Sequence, residues 1–195
     1  MNADMQAGTG EAKDGGPRRE TARRIAAWAG VTALMLLVPL VAMQVTGDVA
    51  WSPIDFATAG ALLFGSGLTC ELVARRMEST TYRAAVGIAV AAALLLVWIN
   101  LAVGIIGSED NAANLMYFGV LAVGIIGALV ARFEPRGMAR ALSAAALALV
   151  LIAVIVLLAG LESPRQVVAL NGFFAALCVV SAGLFRKAAR GSPSR

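Results

Sequence analysis

Glu71 is the side chain in this sequence best placed to do chemistry, because it lies inside an apolar run, about one turn before Arg75. At helical spacing it shares a face with Gly60, Phe64 and Gly67, which aims it into a bundle. A carboxylate within a membrane span is a candidate for a proton or cation path. The competing reading is an i,i+4 pair with Arg75 at the membrane surface, where snorkelling makes both charges tolerable. Asn100 and Asn171 lie in two further apolar runs, where an amide either hydrogen-bonds a neighbouring helix or coordinates a ligand.

A second group of oxygen-bearing side chains lies between apolar runs: Ser108, Glu109, Asp110 and Asn111, with Asn114 just beyond. Together with Asp48 and Asp55, the carboxylates Glu109 and Asp110 form a candidate outer acidic cluster able to draw cations. Calcium wants six to eight oxygens on a longer loop, and the EF-hand spacing is missing. Asp110 or Asn111 can equally cap a following helix.

Other chemistries are excluded or weak. The chain has no histidine, which removes His-ligated haem, the common zinc sites and a His base. Cys70 and Cys178 fall inside apolar runs, where they read as small apolar thiols rather than a disulfide. No Ser or Cys is partnered with a base. The sequence therefore calls for no catalytic residue, metal or cofactor, and the expectation is a protein that is not an enzyme.

The elements that position these residues are six apolar runs, Ile25–Val45, Ile54–Ala74, Ala84–Gly107, Ala113–Ala131, Ala141–Leu161 and Val167–Phe185. Each is long enough to cross ~30 Å of hydrocarbon at ~1.5 Å per residue. With 59% hydrophobic residues and a mean hydropathy of +0.81, the chain is too apolar for a soluble domain of this size. The first run follows Arg23 and Arg24 but exceeds a signal-peptide core and lacks an A-x-A site, so it reads as an uncleaved span.

Charge sets the orientation. Of the 16 Lys and Arg residues, all but Arg165 fall in the N-terminal tail, the C-terminal end and the second and fourth gaps. The opposite gaps hold Asp48, Asp55, Glu109, Asp110 and Glu162. The positive-inside bias places both termini in the cytoplasm. Trp28 and Tyr82 are then expected near the inner interface, and Trp51 and Tyr117 near the outer one.

The fold expected is an all-α, integral-membrane six-helix bundle. Residues 1–22 read as a disordered cytoplasmic tail, 23–188 as the six-span domain and 189–195 as a flexible end. The arrangement allows three similar helical hairpins, or the same spacings arising from an Ala- and Leu-rich composition with Arg placed by the positive-inside rule. LVAR occurs at Leu72–Arg75 and Leu129–Arg132, and at the same offset Arg83 meets Arg140 and Ala89 meets Ala146. The heptapeptide LAVGIIG also occurs twice, at Leu101–Gly107 and Leu121–Gly127, on antiparallel spans, which points to composition rather than duplication.

Small residues recur every four positions at Ala57, Ala61 and Gly65, and at Ala85, Ala89 and Ala93. In lipid, such rows let backbones approach, within a tight bundle or at an oligomer contact. Pro39 is expected to kink the first span. The partners expected are membrane lipids, through anionic headgroups at the basic loops, and either a second copy or a membrane-protein partner, with no nucleic acid.

The stretch Gly107–Leu142, with WSPIDF at Trp51–Phe56 and LNGFFAAL at Leu170–Leu177, resembles a family of uncharacterised small bacterial multispan membrane proteins. The chain departs from that family at Ala112, where Pro is common. The resemblance implies a bacterial inner-membrane location and transfers no activity. A non-catalytic subunit or scaffold is the first functional expectation, and a small transporter or channel is the alternative.

Overall fold

The computed structural model describes residues 17–45, 51–76, 79–107 and 111–191. It is all-helical, with six helical segments long and apolar enough to cross a membrane, the fourth counted from Ala112 with its leading 3-10 turn. The α-helices are α1 (Pro17–Val45), α2 (Pro53–Arg76), α3 (Thr80–Ala102), α4 (Leu115–Val130), α5 (Pro135–Leu158) and α6 (Pro164–Gly191). A short 3-10 turn, Ala112–Asn114, leads into α4.

Two units are separable, residues 1–50 and 51–195. In the first, α1 begins at Pro17, inside the segment expected as a tail, and runs unbroken through Pro39. Pro suits a first helical position because its missing N–H would have no partner there. One turn on, Glu20 pairs with Arg24 at 2.8 Å, an exposed pair of small energetic weight.

In the second unit α5 packs extensively on α6 and on α4, α6 packs on α3, and α3 carries α2 on its other side. Contact between α3 and α4 is slight. The core gathers Leu96 of α3, Val120 of α4, Leu142 and Leu149 of α5, and Phe174 and Phe185 of α6. The outward faces are equally apolar, with Leu147, Leu151, Val154, Val179 and Val180 exposed. In water such faces would be an aggregation hazard, whereas lipid requires them.

The helices share two ends of opposite character. At one end Arg83, Arg132, Arg136, Arg140, Arg186, Lys187 and Arg190 are exposed. Here the Tyr82 hydroxyl donates to the Phe133 carbonyl at 2.5 Å, and the Tyr82 and Phe185 rings meet edge-on at 5.0 Å. Arg186 reaches Ser143 Oγ at 3.1 Å. At the other end, Trp51 stacks near Phe56 and Trp98 with ring centroids 5.2 and 5.8 Å apart. Asp55 and Glu162 lie at this acidic end, with Arg165 exposed beside them.

Tyr82 and Tyr117 are both 2% exposed, because each ring fills the core and each hydroxyl finds a partner there. One expectation needs correction. The third apolar run does not stay helical to Gly107: α3 stops at Ala102, and Gly104, Ile105 and Ile106 fold back as a buried loop. Of the two small-residue rows, Ala57, Ala61, Gly65 lies on α2. Ala57 and Ala61 are exposed, and a Cβ at Gly65 would meet nothing within 4 Å. Among the described side chains of α2, Ala59 and Gly67 are buried.

The other row behaves differently. Ala85 is fully buried against α6, where the Ser181 hydroxyl donates to its carbonyl at 2.8 Å. Ala89 and Ala93 continue along α3 and border a cavity. The two copies of LAVGIIG adopt different structures, the first leaving the helix and the second lying wholly within α4.

Candidate functional site

The densest polar cluster sits at the acidic end and is organised by Asn114. Its Oδ1 accepts the backbone N–H groups of Ile105 at 3.0 Å and Ile106 at 2.8 Å, while its Nδ2 donates to the Ile106 carbonyl at 3.3 Å. Asn114 therefore satisfies backbone groups of the loop beyond α3, which have no helical partner. The loop needs left-handed backbone at Gly104 (φ 77°) and Gly107 (φ 68°), which glycine adopts without a Cβ penalty.

Asn100 completes this cluster. It is 4% exposed, and its Nδ2 donates to the Asn114 carbonyl at 3.3 Å. Among the described residues its Oδ1 has no hydrogen-bond partner. A buried acceptor left unmatched costs about 1–3 kcal/mol, so the Asn100 amide is only half used by the fold.

Neighbouring contacts tie the same loop to the α5–α6 connection and shape the entry to α4. The Gly107 N–H donates to Glu162 Oε1 at 2.6 Å, and the Ser163 N–H donates to Glu162 Oε2 at 3.2 Å. Asn111 Oδ1 accepts the Ala113 N–H at 2.9 Å, capping the 3-10 turn. Deeper in, Asn171 and Tyr117 exchange hydrogen bonds between α6 and α4, with Nδ2 to the hydroxyl at 3.2 Å. Asn171 Nδ2 also reaches the Val167 carbonyl one turn back, at 3.1 Å.

Of the expected outer acidic cluster, only Asp55 lies among the described residues. Asp48, Glu109 and Asp110 lie outside them. Asp55 is a helix cap: its Oδ2 accepts from the Ser52 N–H at 2.7 Å and the Ser52 hydroxyl at 2.8 Å, while Asp55 N–H faces Ser52 Oγ at 3.3 Å. This reciprocal arrangement is a capping box. No group of three His, Cys, Asp or Glu able to hold a metal occurs among the described residues.

Glu71 is half-buried on α2, while the Arg75 side chain lies outside the described residues. Cys70 and Cys178 are both free thiols, Cys178 being buried. A cavity of about 270 Å³ opens between α2, α3, α4 and α5, with Phe174 and Cys178 of α6 at its floor. Thr69 and Val73 border it, but Glu71 does not. Thr69 returns its hydroxyl to the Gly65 carbonyl at 2.8 Å, so even this polar group is occupied.

Sequence reasoning missed the parts played by Asn114, Glu162 and Ser181. Asn114 was one oxygen ligand among several in a polar run, and nothing local marked it as the residue that folds the loop. Ser181 carries no signal, since a lone Ser in an apolar run bonds its own helix as readily as a neighbour.

The fold and these contacts define a multi-pass α-helical membrane protein whose internal polar side chains join helices and close loops. Comparison with family models, curated proteins and solved structures finds no match.

Proposed function

We propose that this chain is a non-catalytic subunit or scaffold of a membrane assembly, held in the bacterial inner membrane with both termini in the cytoplasm. The observation that carries the reading is the use made of the buried polar groups. Asn114, Asn171, Tyr117, Tyr82 and Ser181 all spend their hydrogen bonds on neighbouring helices and loops. The cavity between α2, α3, α4 and α5 is lined almost wholly by hydrocarbon. A coupled transporter is instead expected to place broken helices and charged groups near the midplane.

Two further features support it. The outward row Ala57, Ala61, Gly65 offers a second copy or a partner helix a surface for close backbone approach. The exposed arginines at the basic end attract anionic headgroups at ~1 kcal/mol each near the surface, which fixes orientation.

The alternative, a small transporter or channel, draws on Asn100 Oδ1, a buried acceptor available to a solute. Reconstitution separates the two. In liposomes the purified chain is expected to give ion and solute flux no greater than empty vesicles. Flux above that level, falling in Glu71→Gln or Asn100→Ala, would replace the scaffold reading with transport.

A further inference from the structure

The cavity between α2, α3, α4 and α5 has a shape and setting that the scaffold reading does not use. It reaches from Val86 to Leu96 along α3 and from Met138 to Leu149 along α5. At ~1.5 Å per residue this is about 15 Å, half of the ~30 Å hydrocarbon thickness of a bilayer. Its depth therefore matches one leaflet.

Small residues hollow it out. Ala89 and Ala93 on α3 and Gly124 on α4 border it, and a Cβ on Gly124 would meet nothing within 4 Å. Water gains little there, because it needs two to four polar partners and the Thr69 hydroxyl is already bonded to Gly65. An apolar cavity of about 150 Å³ accepts benzene. One of about 270 Å³ accepts a longer hydrocarbon. Within residues 51–195, α2 packs on α3 without extended contact with α4, which leaves a lateral way in between α2 and α4.

Charge selects the leaflet and the headgroup. The cavity ends toward the basic end, at Phe133 and Met138. Arg132 precedes Phe133 and is exposed, and Arg83, also exposed, stands three residues before Val86 on the same face of α3. A chain lying in the cavity would bring its headgroup level with these two guanidinium groups, which suit a phosphate.

We propose that this cavity binds one acyl chain of an anionic phospholipid from the leaflet at the basic end, with the lipid phosphate beside Arg83 and Arg132. Gly124 serves as the recess that admits the chain. The site stands independently of whether the protein is a scaffold or a transporter.

The test uses the full chain in nanodiscs containing phosphatidylglycerol with a photoreactive group at mid-chain, followed by peptide mapping of the adducts. Adducts are expected on residues 86–96 and 120–133, competed by unlabelled phosphatidylglycerol several-fold better than by phosphatidylcholine. Gly124→Leu should remove them, and Arg83→Gln with Arg132→Gln should erase the preference between the two lipids. Adducts spread evenly over the outward faces of α5 and α6 would overturn the site, as would adducts unchanged by Gly124→Leu. Equal competition by both lipids in the unaltered protein would overturn the anionic headgroup; this readout needs no variant to fold. Loss of the adducts only when a co-purifying protein is present would assign the cavity to a partner helix instead.

Discussion

Gly127 of α4 lies so close to Ala141 of α5 that a Cβ added to it would fall 2.6 Å from the alanine Cβ and 3.2 Å from its Cα. Neither atom can retreat cheaply, because both are fixed to helix backbone. Gly127→Ala is therefore expected to lower stability by about 1–3 kcal/mol, as overpacking does. Gly124→Ala, with open space before it, should be neutral or stabilising by up to about 1 kcal/mol through helix propensity. Thermal unfolding of both variants in one detergent checks the contrast, and Ala141→Gly should rescue Gly127→Ala.

Asn114→Ala removes the acceptor for the Ile105 and Ile106 amides inside the bundle. A loss of about 1–3 kcal/mol is expected for the buried groups left unpaired. Hydrogen exchange at Ile105 and Ile106 should accelerate in the alanine variant while the amides of α5 stay protected.

Tyr117 and Asn171 form an interhelical pair suited to a double-mutant cycle. Tyr117→Phe and Asn171→Ala should each destabilise, with a coupling of ~0.6–2 kcal/mol, the range for hydrogen bonds between membrane helices. Strictly additive effects would mean that the pair contributes packing alone.

The turn between α4 and α5 carries two non-glycine residues in left-handed backbone, Arg132 at φ 49° and Phe133 at φ 59°. Such residues cost about 1–2 kcal/mol each, and the Tyr82 hydroxyl on the Phe133 carbonyl helps to hold them. Tyr82→Phe is expected to destabilise by about 1 kcal/mol. Limited proteolysis should then cut faster between Ala131 and Glu134.

The existence of the spans and their charge asymmetry were legible because lipid imposes both on the sequence. Which face of each helix turns inward was not. Core and hydrocarbon are equally apolar here, so the periodicity that reveals a buried face in water is weak. That is why the alanine row of α3 packs while the row at Ala57 and Ala61 on α2 faces outward. It is also why the inward turn of both tyrosine rings could not be read from a position near a span end.

The repeated heptapeptide makes the same point locally. Leu121–Gly127 is helix, with Gly124 beside the cavity and Gly127 against Ala141. Leu101–Gly107 has the same residues, yet its two glycines turn left-handed and its isoleucines bond to Asn114. The deciding partner lies several residues downstream, beyond the reach of the local sequence. Asn171 and Asn100 were recognisable as polar residues in spans, but Tyr117 and the Asn114 carbonyl as their partners became visible only in three dimensions.

The scaffold reading is tested most directly by native mass spectrometry of the protein extracted gently from its own membranes, which reads stoichiometry and companions in one spectrum. The account predicts a fixed-ratio complex, with a second membrane protein or a defined number of copies of this chain. A lone monomer under the mildest extraction, coupled with solute flux in liposomes, would contradict it.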